Sequence, residues 1–139
     1  MQQEEKQLLL KDLCARLLYG VKCDRYGNSY KLVDIDIERE LVYLLRDEQY
    51  VPYSILNGDI IKPYLRPMSS MTEEEKEEYE SFVWYGEYDT GSLNGHHEYN
   101  YVEVDKIIEY VDWLNAHHFD YRGLIKKGLA LEAPEGMYN

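Results

Sequence analysis

The stretch VKCDRYGNSYKLVD, residues 21–34, decides the fold. Two runs of alternating character, Val21 to Tyr26 and Ser29 to Asp34, flank Gly27-Asn28. Glycine followed by asparagine supplies the positive φ that a two-residue hairpin turn requires, so the stretch reads as an antiparallel hairpin. Folding about that tip sets Asp24 opposite Lys31 and Cys23 opposite Leu32. Val21, Cys23, Tyr30 and Leu32 then line one face, and the Asp24–Lys31 pair lies on the other. The apolar parity changes between Leu32 and Ile35, which predicts a bulge near Val33 or Asp34. A turn at Glu38-Arg39 leads into a third strand, Leu41 to Leu45, and completes a small antiparallel β-meander.

On the N-terminal side, residues 3–18 predict an amphipathic helix, with Leu10, Leu13, Cys14, Leu17 and Leu18 on one buried face and Gly20 as its stop. On the other side, residues 47–71 read as irregular. Pro52, Pro63 and Pro67 each push the preceding residue towards extended geometry. Asn57-Gly58-Asp59 is a turn signal, Ile60-Ile61 a short strand, and KPYLRP (62–67) an extended surface segment. Thr72 with Glu75 forms a capping box that opens a helix at 73–85, whose apolar face is Tyr79, Phe82 and Val83. Its first turn, Glu73-Glu74-Glu75, suits the positive end of the helix dipole. Residues 86–98, GEYDTGSLNGHHE, read as a polar loop. Asp105 caps a helix at 106–117 with Ile107, Ile108, Val111 and Leu114 as its buried stripe. Asp120 caps a short helix at 121–127, ended by Gly128, and Leu129 to Leu131 return to the sheet as a strand. The expected architecture is a single α+β domain over residues 1–139: an N-terminal helix, a small antiparallel β-meander, two further helices and a short C-terminal strand.

A chain of 139 residues with 45% apolar and 30% charged side chains has the composition of a globular domain, not of a disordered segment. No apolar run approaches the ~20 residues of a membrane helix. The start, MQQEEKQLLLKDL, carries acids where a signal peptide carries bases, so secretion by that route is not expected. Cys14 and Cys23 read as small core residues without a disulfide framework, which points to a reducing cytoplasm.

The net charge of −12 is unevenly placed. Residues 73–120 hold 14 of the 27 acidic side chains against only Lys76 and Lys106, and the remainder is balanced. A solvated face explains such a run. The sharper reading is a negative surface that steers a basic protein partner towards it. Nucleic-acid backbone requires a basic footprint, so no direct nucleic-acid binding is expected. Tyrosine is abundant at 15 residues, and it supplies rigid contact surface with a polar tip. Core packing competes for these rings. The candidate binding residues within the acidic stretch are Glu74, Glu77, Glu78, Tyr85, Tyr88, Tyr99 and Tyr101.

Catalytic motifs are missing from the sequence: it has no GxSxG, no Cys/His pattern of recognisable spacing and no glycine-rich phosphate loop. Asp34, Asp36 and Glu38 alternate along a strand end without a His or Lys partner and read as solvent-facing. The histidines come in two adjacent pairs, His96-His97 and His117-His118. Adjacent helical residues point ~100° apart, so one pair does not make the HExxH zinc face. Joined by the fold, HHE (96–98) and HHFD (117–120) would offer a three-ligand zinc site and a metal-dependent hydrolase. Otherwise His117 and His118 finish the preceding helix against its exposed carbonyls. No cofactor is expected. The leading expectation is a non-enzymatic interaction protein, with the hydrolase and a structural or assembly component as alternatives.

The stretches LLLKDLCARLLYGVK (8–22), KPYLRPMSSMTEEE (62–75) and VDWLNAHHFDYRGLIKKGLALEAP (111–134) resemble a family of small proteins of prophages and other mobile elements of gut anaerobes. The likeness covers most of the chain. It implies a phage-linked origin and one compact domain. No activity is assigned to that family, so no residue role is carried over.

Overall fold

The hairpin forms about a different tip from the expected one. The structure is a computed structural model and describes residues 2–55, 60–82 and 104–139. Strands β1 (Lys22–Arg25) and β2 (Asn28–Asp36) pair Lys22 with Lys31, Cys23 with Tyr30 and Asp24 with Ser29. The two loop residues are therefore Tyr26 and Gly27, both at positive φ (51° and 85°), as a type I′ turn demands. The Asp24 carboxylate accepts the Gly27 N–H at 3.1 Å and fixes the turn there. The register is two residues from the expected one, so Asp24 does not face Lys31. A two-residue shift preserves the faces, however, and Cys23 and Leu32 remain together in the core. The predicted bulge is present: Leu32 pairs with Leu44 and Asp34 with Tyr43, leaving Val33 as the extra residue.

The sheet continues well beyond three strands. Strand β3 (Leu41–Arg46) turns through Asp47-Glu48, at φ 48° and 67°, into β4 (Gln49–Ser54). Pro52 fits because β4 is an edge strand. Ile55 N–H donates to the Glu40 carbonyl at 3.1 Å, and antiparallel alternation from there makes Tyr43–Pro52 a non-hydrogen-bonded pair. The proline nitrogen thus faces outwards, where no ladder bond is lost. Strand β5 (Lys62–Leu65) lies antiparallel to β1 and parallel to β6 (Leu131–Glu132), giving a mixed sheet in the order β4-β3-β2-β1-β5-β6. The first four residues of KPYLRP are therefore sheet and not an extended surface segment, with Leu65 fully buried. Ile60-Ile61 form no strand, although Ile61 is buried.

Helix α1 (Gln3–Arg16) is followed by a short 3-10 turn, Leu17–Tyr19, and stops at Gly20 in the left-handed region (φ 71°). Its buried face differs from the predicted one. Leu9, Leu10 and Leu13 are buried, together with Asp12 and Arg16, while Cys14 is only half-buried and Leu18 is 89% exposed. The charged pair shares the face with the leucines, and of the two that follow it Leu17 still packs against the core while Leu18 turns outwards. The helix leucines pack with Val21, Cys23, Leu32, Val42, Leu44, Tyr53, Ile55, Ile61 and Leu65, and with Leu124, Leu129 and Ala130 from the C-terminal segment.

The chain divides into two units, Met1–Met68 with Asn115–Asn139, and Ser69–Leu114. In the first, Arg66 and Phe119 form an isolated parallel bridge, with Arg66 N–H on the His118 carbonyl at 2.7 Å and Asp120 N–H on the Arg66 carbonyl at 2.8 Å. No helix forms at 121–127. The Asp120 carboxylate accepts from Leu124 N–H (2.8 Å) and Ile125 N–H (3.0 Å), but the chain continues as turns.

In the second unit, α2 (Glu73–Phe82) opens with the predicted capping box: Thr72 N–H bonds the Glu75 carboxylate at 2.9 Å, and Glu75 N–H bonds the Thr72 hydroxyl at 3.1 Å. Helix α3 (Val104–Ala116) starts one residue before the expected Asp105 cap and continues past the unit's last residue. Tyr110 meets Tyr79 edge-on at 5.5 Å, and Phe82 lies 6.2 Å from Tyr110 and 5.9 Å from Trp113. These aromatics form the α2–α3 contact. The expected stripe is accordingly not the inner one: Leu114 is buried, but Ile107 and Ile108 are exposed. Asn57-Gly58-Asp59, Val83 and the 86–98 loop lie outside the described residues. Among the described residues, no helix is long and apolar enough to cross a membrane.

Candidate functional site

The described part of the acidic stretch centres on α2, EEEKEEYESF, in which Lys76 is the sole base. Its carboxylates do different things. Glu75 closes the capping box, and Glu73 pairs with Lys76 at 3.3 Å on the surface. Glu78 accepts the indole N–H of Trp113 at 2.7 Å, which secures α3 to α2. Glu74 and Glu77 are exposed and without a partner among the described residues. They stand three residues apart on one helix face, so their charges add. Tyr79 is half-buried against Tyr110, serving packing and not display. Tyr85, Tyr88, Tyr99 and Tyr101 lie outside the described residues, as do His96 and His97.

The other histidine pair does not finish a helix. Helix α3 ends at Ala116, and the chain turns with His118 N–H on the Asn115 carbonyl at 3.1 Å. His118 takes left-handed φ (63°), which histidine tolerates better than most residues. Its ring is buried and stacked on Tyr138, centroids 3.6 Å apart, while His117 lies parallel to Phe119 at 6.3 Å. Burial, reinforced electrostatically by Arg16, His117, Arg66 and Lys22, lowers the His118 pKa to about 4. The ring is therefore neutral at pH 7, and its Nδ1 has no partner among the described residues. Among the described residues, no three His, Cys, Asp or Glu side chains are grouped to hold a metal ion.

Two polar arrangements in the first unit were not foreseen from the sequence. Arg16 grips Asp12 through Nε–Oδ2 at 2.8 Å and Nη2–Oδ1 at 3.1 Å, both side chains being fully buried. Arg122 adds a contact to Asp12 at 3.2 Å, and Arg16 Nη2 also donates to the Phe119 carbonyl at 2.7 Å. The Tyr121 ring lies 5.1 Å from one guanidinium and 5.0 Å from the other. An Asp and an Arg spaced i, i+4 among helix leucines was the available signal. With both its oxygens bonded to arginines, Asp12 and its partners fasten residues 119–122 onto α1.

The second arrangement is at the end of the β1–β5 ladder. The Tyr138 hydroxyl accepts Lys22 N–H at 2.9 Å and donates to the Tyr64 carbonyl at 2.8 Å. It joins the two strands where direct pairing ends at Cys23–Pro63. Burial pushes its pKa above the ordinary tyrosine value, so the hydroxyl keeps the proton it donates. Burial likewise raises the Cys14 and Cys23 thiols, with Cys23 fully enclosed, so neither is an activated nucleophile.

No protein-family model matches the sequence, and neither a curated protein nor a solved structure matches it.

Proposed function

We propose that this is a non-enzymatic interaction protein of phage or mobile-element origin, acting in the cytoplasm, that meets a basic protein partner through the acidic, tyrosine-bearing stretch 73–120. The observation that carries the reading is the pair Glu74 and Glu77, exposed and unpartnered among the described residues on a helix with one base. Such charges contribute nothing to the helix contact and are free to attract an opposite surface. The enclosure of His118 against Tyr138 and the commitment of both Asp12 oxygens to arginines support the non-enzymatic side of the reading, because neither side chain is presented to a substrate.

The test is affinity capture with the wild-type chain and a Glu74→Lys/Glu77→Lys variant, each at low and high salt. Exposed charges are screened over about 8 Å at physiological ionic strength, so the expected partner is released as salt rises and is not captured by the variant. Glu78 is spared because it holds Trp113. Capture indifferent to both salt and charge reversal overturns the proposal.

A further inference from the structure

Helix α3 carries an apolar line that the described residues of its own unit leave exposed. Val104, Ile107 and Ile108 are 74%, 44% and 57% exposed, and half-buried Val111 continues the line one turn on. The spacing i, i+3, i+4, i+7 makes a single stripe. At about 100° per residue, this stripe lies roughly 140° round the helix from Tyr110 and Trp113, the residues that meet α2. Isolated exposed apolar residues are ordinary, but a run of branched ones on one stripe is the pattern of a docking face.

The charges beside the stripe define the occupant. Asp105, Glu109 and Asp112 are all exposed and fall in a second line along one flank. The sole base on the helix, Lys106, sits on the far side of that line, 3.8 Å from Glu109. We infer that this face of α3 docks a basic amphipathic helix: its apolar stripe lies on Val104, Ile107, Ile108 and Val111, and its lysines or arginines face Asp105, Glu109 and Asp112. A helical occupant is indicated because ridges three and four residues apart interlock with the same ridges on another helix. This inference rests on the proposed basic partner and adds the contact chemistry that would select it.

The probe is a labelled leucine–lysine peptide of about 18 residues, with leucines at helical spacing on one face, titrated by anisotropy into the full chain. A control peptide has the same composition with its leucines scattered. The expected result is salt-sensitive binding of the patterned peptide, weakened about tenfold or more by Ile107→Ser/Ile108→Ser and little affected by Glu74→Lys/Glu77→Lys. Both isoleucines are exposed, so the variant keeps its fold, which circular dichroism verifies. Equal binding of both peptides overturns the inference, as does the absence of binding. So does a wild-type dimer that Ile107→Ser dissociates, because the stripe would then belong to a second copy. Binding abolished by the glutamate variant but untouched by the isoleucine variant removes the α3 face while leaving the acidic-surface reading standing. Binding that neither variant alters also overturns the inference, whereas the acidic-surface reading falls only if capture of the partner is indifferent to salt and to the glutamate variant.

Discussion

The indole N–H of Trp113 donates to a carboxylate oxygen of Glu78 at 2.7 Å, tying α3 to α2 through a residue that sequence alone places among the surface charges. The acidic helix is thus divided between carboxylates that hold the unit together and carboxylates that face water. Glu78→Ala is expected to destabilise the helix pair by about 1 kcal/mol, below the range for a buried charged hydrogen bond because Glu78 is exposed. Glu74→Ala and Glu77→Ala should each stay within about 0.5 kcal/mol of wild type. Urea unfolding followed by tryptophan fluorescence distinguishes the two classes.

Asp12 balances Arg16 in the core and the part-exposed Arg122 beside it, so its removal leaves the buried Arg16 charge uncompensated. Asp12→Ala should cost about 3–5 kcal/mol in chemical denaturation. An Asp12→Leu/Arg16→Met double variant, which removes the principal pair together, should recover most of that loss. A double variant as unstable as the single one would mean that the cluster does more than neutralise itself.

His118 makes stability depend on pH. Its folded pKa of about 4 lies below the unfolded value of about 6.5, so the unfolded chain binds more protons between those limits. Its contribution is complete above pH ~6.5 and is lost as pH falls towards 4, with a slope of at most about 1.4 kcal/mol per pH unit. His118→Asn keeps a residue that accepts left-handed φ and removes the titration. Its stability profile between pH 4 and 6.5, measured by urea midpoints, should be flatter than that of wild type by about one proton.

Tyr138→Phe removes the hydroxyl that joins β1 to β5. The expected cost is about 1–3 kcal/mol, since Lys22 N–H and the Tyr64 carbonyl both lose their partner. Native-state hydrogen exchange should show faster exchange at the Lys22 amide, while amides of the β3–β4 hairpin remain unchanged. Uniform acceleration across the sheet would instead mean that the hydroxyl governs global stability.

Much of the fold was legible where side chains alternate against one surface. The β1–β2 faces and the Val33 bulge followed from parity alone, and the α2 capping box from four residues of sequence. The hairpin tip was misread because Tyr26-Gly27 and Gly27-Asn28 both contain the permissive glycine. The choice between them lies in the Asp24 bond to Gly27. Strands β4 and β5 were hidden by prolines, although Tyr53 and Ile55, and then Ile61, Pro63 and Leu65, carry the period-two burial of a sheet. At the candidate site, Glu74 and Glu77 were readable as charge. The Glu78–Trp113 bond was not, since it joins residues 35 apart in the chain. The outward turn of Ile107 and Ile108 depended on which face the aromatics of α2 would occupy, and no local pattern determines that.

The Arg66–Phe119 bridge stands where the chain leaves the first unit for the Ser69–Leu114 excursion and where it returns. The entrance and exit are therefore held together by the frame itself, whatever lies between them. Loop-closure entropy changes slowly with length, so this anchoring makes the excursion exchangeable. Lengthening it, or shortening it to a glycine–serine bridge, is expected to leave the register of the sheet unchanged. A chain built in this way can alter its excursion without having to relearn how to fold.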